Sequence, residues 1–346
     1  MMKAMVLKAL GPLSADSTPL ALEDIPTPQP SEDEILVRVT ACGVCHTELD
    51  EIEGRVAPRK LPIVLGHQIV GIVERVNDRA TRFSSGLQTG QRVGISWIHS
   101  ACGTCEYCVS GQENLCAAFR ATGLDVDGGY AQYTIVDPKF AFPIPDQMPD
   151  EVAAPLLCAG AIGYRSMVLA GAEDECIMGL MGFGASAHLV LKMIRHSRPT
   201  SPVFVFSRNA EEREFARDLG AAWAGAITDV PPEQMDAVID TTPAWQPVLR
   251  ALLHLKPGGR LIINAIRKEG DDSGLLSNLD YASQLWLEKS VKSVANVTRA
   301  DVRDCLAIAA AAQIRPEVQL FDLGDANSAL LQLKRGNIRG SKVLRI

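Results

Sequence analysis

The stretch ECIMGLMGFG, residues 175–184, joins an apolar segment to a segment of helical pattern that continues to His196. A glycine-rich turn between a buried strand and a helix N-terminus is the usual cradle for the pyrophosphate of a dinucleotide. The match is imperfect, because the middle glycine of the usual Gly-x-Gly-x-x-Gly motif would fall at Met181. We expect Gly182 to allow the close approach to phosphate instead. The residues predicted to bind the cofactor here are Gly179, Gly182, Phe183 and Gly184.

Strands and helices are predicted to alternate along the chain after about residue 149. The pattern indicates an amphipathic helix over 210–219 and a turn at 257–259, where Pro-Gly-Gly separates a helix from a strand. Alternation of this kind predicts a parallel sheet covered by helices, so residues 151–295 are expected to form a doubly wound Rossmann domain. The predicted strands cover 175–180, 203–206, 236–240 and 260–263.

The first 150 residues have a different pattern, with short strands separated by turn residues. Residues 34–40 alternate between apolar and polar side chains as a half-buried strand does. The chain has 346 residues, a length at which two domains are expected. We predict an α/β protein with a β-rich domain over 1–150 and a tail over 296–346 that ends in a strand at 342–346. Further strands are predicted over 65–76 and 91–95.

Four cysteines lie in one polar segment, residues 99–117. Their spacings allow all four sulfurs to converge on one tetrahedral ion, and structural zinc sites are often built from four thiolates. The alternative is a disulfide within the loop, or chance, but two successive short spacings favour a metal. The four residues are Cys102, Cys105, Cys108 and Cys116.

Composition excludes several other classes of protein. The net charge is −7 and no cluster of Lys or Arg offsets it, which disfavours nucleic-acid binding. The most apolar run, Val152 to Tyr164, is expected to be too short for a membrane span. The N-terminus lacks the pattern of a signal peptide, and nine cysteines are an odd number. We therefore expect reduced thiols and a cytoplasmic location. Three cysteines, Cys42, Cys176 and Cys305, are expected in the core.

The residues after the second predicted strand of the Rossmann domain bear on the choice of cofactor. An acidic residue there would bind the adenosine ribose and favour NAD(H). This chain has Ser207-Arg208. A hydroxyl and a guanidinium suit a 2′-phosphate, so NADP(H) is slightly favoured, with NAD(H) as the alternative.

Several motifs in order resemble the zinc-dependent alcohol dehydrogenases of the medium-chain dehydrogenase/reductase superfamily. Besides the four-cysteine lobe, they are Gly43-Val-Cys45-His-Thr47, Leu65-Gly-His67, Asp127-Gly-Gly-Tyr130 and Pro155-Leu-Leu-Cys158-Ala-Gly160. The resemblance covers nearly the whole chain. It implies a GroES-like catalytic domain, a Rossmann domain, a C-terminal return to the catalytic domain, and a homodimer or homotetramer.

The resemblance also implies roles for individual residues. Cys45, His67 and Cys158 would hold a catalytic zinc, and two thiolates with one imidazole leave the open position that catalysis requires. A second, structural zinc would bring the total to two per chain. Thr47 resembles the first group of a proton relay, and His46 resembles a residue that contacts the cofactor pyrophosphate. A merely exposed His46 is the alternative.

Other positions depart from the family or have open alternatives. Glu48 replaces an Asp that supports the zinc-bound histidine, and Gln68 replaces a Glu thought to approach zinc during ligand exchange. Asp50 would lie at the outer end of the relay or simply be solvated. Trp97 would narrow the substrate pocket, or pack in the core. Arg339 resembles an arginine that reaches the cofactor phosphates, with a surface role as the alternative.

The sequence therefore predicts an NAD(P)-dependent alcohol dehydrogenase that interconverts a primary alcohol and its aldehyde. One alternative is a zinc-free quinone or enoyl reductase of the same superfamily, and the ligand set argues against it. Another is a non-catalytic protein that binds zinc and nucleotide.

Overall fold

The structure is a computed structural model that describes residues 1–77, 86–171, 173–336 and 340–346. The chain divides into two compact units. The first comprises Met1–Cys158, Val297–Ala310 and Arg315–Ile346, and the second comprises Ala159–Asn296 and Ala311–Ile314.

The first unit is rich in strands up to residue 158. Its strands in this part are β1 (Met2–Leu7), β2 (Leu20–Ile25), β3 (Ile35–Val44), β4 (Ile63–Val64), β5 (Gln68–Val76), β6 (Arg92–Ile95), β7 (Ile98–Ser100), β8 (Arg120–Ala121), β9 (Tyr133–Val136) and β10 (Ala141–Pro143). Its helices are α1 (His46–Ile52), α2 (Glu106–Val109) and α3 (Asp150–Pro155), with a π-helical turn at Leu156–Gly160. Short 3₁₀ turns lie at Glu113–Leu115 and Pro138–Phe140.

Strand β3 is more deeply buried than its alternating sequence predicts. Arg38 and Thr40 are half-buried as expected, but Leu36 is only 7% exposed. Strand β3 pairs with both β5 and β9, so it is a central strand, and helix α3 also packs against it. The strand predicted over 65–76 begins only at Gln68, because Gly66 has a φ of +96°, outside the range of a strand.

The second unit has the predicted α/β pattern. Its strands are β11 (Met178–Met181), β12 (Val203–Phe206), β13 (Trp223–Gly225), β14 (Met235–Asp240), β15 (Leu255–Ile263) and β16 (Ser290–Ser293). Its helices are α4 (Ala161–Ala170), α5 (Ala185–Ser197), α6 (Ala210–Asp218), α7 (Gln246–Leu253) and α8 (Tyr281–Gln284), with a 3₁₀ turn at Ser273–Asn278. The strands are all parallel in the order β13-β12-β11-β14-β15-β16, which confirms the Rossmann-type sheet.

Three details of this unit differ from the sequence prediction. The first strand begins at Met178, because Glu175 has a φ of +69° and lies in a turn. The predicted Pro-Gly-Gly turn lies inside β15, where Gly258 has a φ of +71° and the register against β14 shifts. Cys176 is half-buried and does not lie in the core, whereas Cys305 is fully buried as expected.

The C-terminal segment returns to the first unit. It contains α9 (Arg299–Ala311), β17 (Val318–Asp322), a 3₁₀ turn at Leu323–Asp325, α10 (Ala326–Lys334) and β18 (Ser341–Arg345). Strand β18 pairs antiparallel with β3 and parallel with β17. The main sheet of the first unit therefore has the order β10-β6-β5-β3-β18-β17, with β9 beside β3, and a smaller sheet has the order β2-β1-β4.

One continuous helical stretch, Asp150–Ala170, is long and apolar enough to cross a membrane by length and composition. It is longer than the apolar run that the sequence suggests. Burial covers 61% of its most apolar window, and core helices of globular proteins meet the same test. Its apolar side chains are therefore already largely covered by protein.

Candidate active site

The first candidate site is built around the junction between β3 and α1. Cys45 is the N-cap of α1, and its sulfur accepts a hydrogen bond from the backbone N–H of Thr47 at 3.4 Å. The carboxylate of Glu48 accepts a bond from the backbone N–H of Cys45 at 2.8 Å, which completes a capping box. The Cys45 sulfur is thus held by the first turn of the helix.

Three residues distant in sequence meet at this junction. The metal-binding atoms of Cys45, His67 and Cys158 all lie within 4.8 Å of one another. The Nε2 atom of His67 is 3.3 Å from the Cys158 sulfur. Cys158 reaches this position from the π-helical turn at Leu156–Gly160, a feature that often marks functional sites. All three residues belong to the first unit.

Glu48 supports the imidazole from the side opposite the thiols. The Nδ1 atom of His67 lies 2.8 Å from Oε1 of Glu48, and their side chains are 1% and 0% exposed. A carboxylate at Nδ1 holds the proton on that nitrogen and leaves Nε2 free as a ligand. The longer side chain of Glu48 therefore reaches the histidine, as the carboxylate behind a zinc-bound histidine does.

The glycine before His67 is required by close packing. A Cβ atom at Gly66 would lie 2.4 Å from the ring of Tyr130, and the φ of Gly66 is +96°. A side chain at this position would push Tyr130 away or move the backbone that carries His67. The Leu65-Gly-His67 and Asp127-Gly-Gly-Tyr130 motifs of the sequence therefore meet in one place.

The pKa values of this cluster are mutually dependent. The hydrogen bond from Cys158, followed by His67, lowers the pKa of Cys45 well below its usual value against the opposing effect of burial. Burial alone would lower the pKa of His67, but the nearby Glu48 and Cys45 raise it well above its usual value. The hydrogen bond with Cys45 and burial raise the pKa of Cys158. Two soft sulfurs and one imidazole nitrogen are the donor set that zinc prefers, so these residues fit a zinc ion.

Another buried carboxylate on α1, Glu51, was not singled out by the sequence. Glu51 is 0% exposed, and neither of its oxygens has a hydrogen-bond partner among the residues that the structure describes. Burial, followed by the charge of Glu48, raises the pKa of Glu51 well above its usual value. Its spacing of three residues from Glu48, which places both on one helix face, is the signal that could have found it.

The neighbouring predicted residues occupy different environments. His46 is exposed, and the Thr47 hydroxyl lies 3.4 Å from the Cys45 sulfur. Asp50 is buried and accepts a hydrogen bond from Arg55 at 2.5 Å, so it is not simply solvated. Gln68 is buried, where a Cβ atom at Gly43 would lie 2.6 Å from its Oε1.

Trp97 and Arg339 were also predicted to contribute to the site. Trp97 is half-buried, and its ring packs on Phe119 with a centroid distance of 5.4 Å. Its indole N–H is buried and has no hydrogen-bond partner within the described part of the chain. Arg339 lies outside the described residues.

The four-cysteine lobe forms a second cluster of the first unit. The sulfurs of Cys102, Cys105, Cys108 and Cys116 all lie within 4.8 Å of one another. Cys102 accepts backbone N–H bonds from Thr104 and Cys105, which lower its pKa to about 5. All nine cysteines of the chain are unpaired, so no disulfide closes the lobe. This cluster could bind a structural zinc.

Two of the three predicted glycines, Gly182 and Gly184, lie in the glycine-rich turn of the second unit. Gly182 has a φ of +80°, its N–H donates to the carbonyl of Phe206, and Gly184 is the N-cap of α5. Gly179, however, lies inside β11 and not in the turn, and a Cβ atom there would meet the Met235 sulfur at 2.4 Å. The side chain of Phe183 is buried and packs on Phe215.

The end of β12 carries the predicted cofactor-selecting residues. Ser207 is buried, and its hydroxyl donates to Oε2 of Glu212 at 2.5 Å. Arg208 is exposed. Glu212, in the first turn of α6, was not singled out by the sequence, because only the fold brings a residue five positions later onto the Ser207 hydroxyl.

A buried ion pair lies at the carboxyl end of β14. Lys268 pairs with Asp240, and their side chains are 8% and 0% exposed. Lys268 also donates to the carbonyls of Thr242 and Ala244 at 2.7 and 3.0 Å. The pair therefore fixes the loop after β14, at the sheet edge where dinucleotides bind in this class of fold. No sequence pattern had indicated it.

Comparison with known proteins agrees with this architecture. The family model of the alcohol dehydrogenase GroES-like domain matches residues 31–146. A probable alcohol dehydrogenase, AdhA, of Mycobacterium tuberculosis (strain CDC 1551 / Oshkosh) is 38% identical over 346 residues, which cover 100% of this chain and 97% of the relative. An alcohol dehydrogenase of Geobacillus stearothermophilus is 31% identical over 94% of this chain and 96% of its own length.

Solved structures show the same fold at lower identity. A structure described as an NAD-dependent alcohol dehydrogenase superposes with a TM-score of 0.86 at 22% identity, covering 100% of both chains. A CAD from Helicobacter pylori, complexed with NADP(H), superposes with a TM-score of 0.84 at 20% identity, covering 99% of this chain and 97% of the other.

Proposed function

The chain belongs to the zinc-type alcohol dehydrogenases of the medium-chain dehydrogenase/reductase superfamily, and from this premise we propose that it interconverts a primary alcohol and its aldehyde. It is an oxidoreductase that acts on alcohols, and its substrates are small molecules. The nicotinamide dinucleotide carries the hydride when bound.

The observation that carries the proposal is the meeting of Cys45, His67 and Cys158 within 4.8 Å. Three protein ligands leave one coordination position open for substrate, which is the arrangement of catalytic zinc. A zinc ion held there supplies a Lewis acid that polarises the oxygen of the alcohol or carbonyl. Glu48 keeps His67 oriented, with 2.8 Å between Nδ1 and Oε1, so that Nε2 stays available as a ligand.

Thr47 is the residue we propose as first acceptor of the alcohol proton. Its hydroxyl is 3.4 Å from the Cys45 sulfur, so it lies beside the ligand set. A hydroxyl can accept one proton while it donates its own, which suits a relay. His46 is exposed one residue earlier and is proposed to contact the cofactor pyrophosphate. Trp97 is proposed to narrow the pocket toward small or unbranched alcohols.

The second unit is proposed to bind the dinucleotide. The turn at Gly182 and Gly184 opens the N-terminus of α5, and free N–H groups at a helix N-terminus favour phosphate. Ser207 and Arg208 replace the acidic residue that favours NAD(H), so we propose a slight preference for NADP(H). Arg339 is predicted to be a further contact to the cofactor phosphates.

We propose two zinc ions per chain, the second in the four-cysteine lobe. Four thiolates without an open position make a closed, structural site. Thiols in both clusters must stay reduced to bind zinc, which supports a cytoplasmic location.

A homodimer or homotetramer is also proposed. Strand β16 is an edge of its sheet, and all four of its residues are exposed. Trp286, Leu287 and Val291 in and beside it are 55%, 51% and 45% exposed. An exposed edge strand with apolar side chains is a ready surface for pairing with a second copy.

The test combines metal analysis with turnover. Metal analysis of the purified chain should find about two zinc ions, and NADH and NADPH should be oxidised with short aliphatic and aromatic aldehydes. Turnover that persists after the catalytic zinc has been stripped would contradict the proposal and favour a zinc-free reductase. Two bound zinc ions without turnover on any alcohol or aldehyde of the panel would also contradict it.

A further inference from the structure

The turn that follows β12 is held by contacts from the first turn of α6. The Ser207 hydroxyl donates to Oε2 of Glu212 at 2.5 Å and accepts a bond from the backbone N–H of Asn209 at 3.1 Å. Arg213 donates to the carbonyls of Ser207 and Arg208 at 2.7 and 3.1 Å. The orientation of the Ser207 side chain is therefore set by residues on the helix.

This turn lies at the position that reads the adenosine ribose in a Rossmann domain. Strand β12 is the parallel neighbour of β11, and the N–H of Gly182 donates to the carbonyl of Phe206 at 2.8 Å. Ser207 thus follows a residue bonded directly to the glycine-rich turn. A side chain at the end of this second strand contacts the ribose 2′ position in such folds.

The contact with Glu212 changes what Ser207 can offer a ligand. A hydroxyl has one proton to donate, and here that proton goes to the carboxylate. Ser207 therefore has no donor left for a 2′-phosphate while the contact persists. The carboxylate is only an acceptor, so it can take a hydrogen bond from a ribose 2′-hydroxyl but repels a phosphate.

Arg208, in contrast to Glu212, favours binding of a 2′-phosphate. Its side chain is exposed, and its guanidinium has no hydrogen bond or ion pair within the described part of the chain. A guanidinium suits a phosphate in geometry and charge. Ser207 thus has a cationic neighbour, Arg208, directly after it in the chain and an anionic partner, Glu212, on its hydroxyl.

We propose that Glu212 is a specificity-determining residue that restrains binding of NADP(H) and lets the enzyme also accept NAD(H). The carboxylate that usually ends the second strand of NAD-dependent Rossmann domains is supplied here from the helix, through Ser207. This inference rests on the proposed function, since it requires that the second unit bind a nicotinamide dinucleotide.

The experiment is equilibrium binding of NADH and of NADPH to the full chain, followed by the fluorescence of the reduced nicotinamide. Removal of one repelling charge in Glu212→Gln should tighten NADPH binding about tenfold and change NADH binding by less than about threefold. Glu211→Gln is the matched control, because it removes the same charge from the same helix turn at an exposed residue. It should change neither affinity by more than about threefold.

Two further variants keep the test decisive if Glu212→Gln folds poorly by circular dichroism. Ser207→Ala removes the hydroxyl but keeps the carboxylate, so NADPH binding should not tighten. Arg208→Ala should weaken NADPH binding about tenfold and spare NADH. Equal effects of the Glu212 and Glu211 variants, or tighter NADPH binding in Ser207→Ala, would overturn the inference. Failure of the unmodified chain to bind either dinucleotide would overturn the proposed function itself.

Discussion

The substitution Glu48→Gln tests whether the proposed zinc site of Cys45, His67 and Cys158 depends on a single carboxylate that makes two contacts. One oxygen of Glu48 lies 2.8 Å from Nδ1 of His67, and the other accepts the backbone N–H of Cys45 at 2.8 Å. Glutamine has one acceptor oxygen and a donating amide group, so it can satisfy only one of these two N–H groups. The remaining N–H group then lies buried next to the NH₂ group of the glutamine, which is also a donor.

The expected loss follows from these contacts. A buried donor without a partner costs about 1–3 kcal/mol. Loss of the carboxylate behind a metal-binding histidine lowers metal affinity about 10–100-fold, or about 1.4–2.7 kcal/mol. The two energy ranges agree. One of the two zinc ions should therefore leave the Glu48→Gln variant at a chelator concentration about 10–100-fold lower than the concentration that removes it from the wild type. The zinc of the four-cysteine lobe should not be affected.

Glu51→Gln is the control for this measurement. Glu51 is on the same helix face and equally buried, but neither of its oxygens has a hydrogen-bond partner among the described residues. Its replacement removes no contact to a ligand, so zinc affinity should stay within about twofold of wild type. The assay is competition with a chromogenic chelator at fixed pH. Wild-type zinc affinity in Glu48→Gln, or an equal loss in both variants, would refute the reasoning.

Four other outcomes are expected. Cys45→Ser should abolish turnover, measured by nicotinamide absorbance, while dinucleotide affinity stays within about twofold, because the substitution removes a proposed zinc ligand but none of the residues proposed to contact the dinucleotide. Cys105→Ser should lose one zinc by metal analysis and lower the Tm by more than about 4 °C, since structural zinc contributes folding energy. Lys268→Met should lower the free energy of unfolding by about 3–5 kcal/mol in urea titrations, because it leaves the buried Asp240 carboxylate without its cation. Burial raises the pKa of Glu51, so the folded chain keeps a proton that the unfolded chain loses above about pH 4.3. Wild-type stability should therefore fall as the pH rises past that value, and Glu51→Gln should flatten this slope.

Features that depend on neighbouring residues could be predicted from the sequence. The four-cysteine lobe has its ligands within 102–116, so the spacing alone indicates a closed metal site. The strands and helices of the second unit alternate as expected, because apolar runs and glycine turns act over a few residues. The resemblance to a family supplied what spacing could not, namely that His67 and Cys158 meet Cys45 across long stretches of chain.

The predictions that missed were those that depend on tertiary neighbours. Gly179 was assigned to the turn but lies in β11. A Cβ atom at this position would clash with the sulfur of Met235 on the adjacent strand, so the packing requires glycine. Glu212 and the pair of Asp240 with Lys268 have partners that no local pattern identifies. Leu36 lies on a central strand against which α3 also packs, and neither neighbour can be read from the local alternation. In each case the sequence gives the residue type, and the packing partner gives its role.

Glu48 shows how local structure and site chemistry depend on each other. The same side chain completes the capping box of α1 and contacts His67, so the first turn of the helix and the orientation of the imidazole are fixed together. Cys45 is the N-cap of that helix, and its sulfur accepts a hydrogen bond from the backbone N–H of Thr47. Helix formation therefore orients Cys45 through short-range contacts, and it places Glu48 where the carboxylate can contact His67. His67 and Cys158 must both be brought to this helix by the wider fold, because they lie far from Cys45 along the chain.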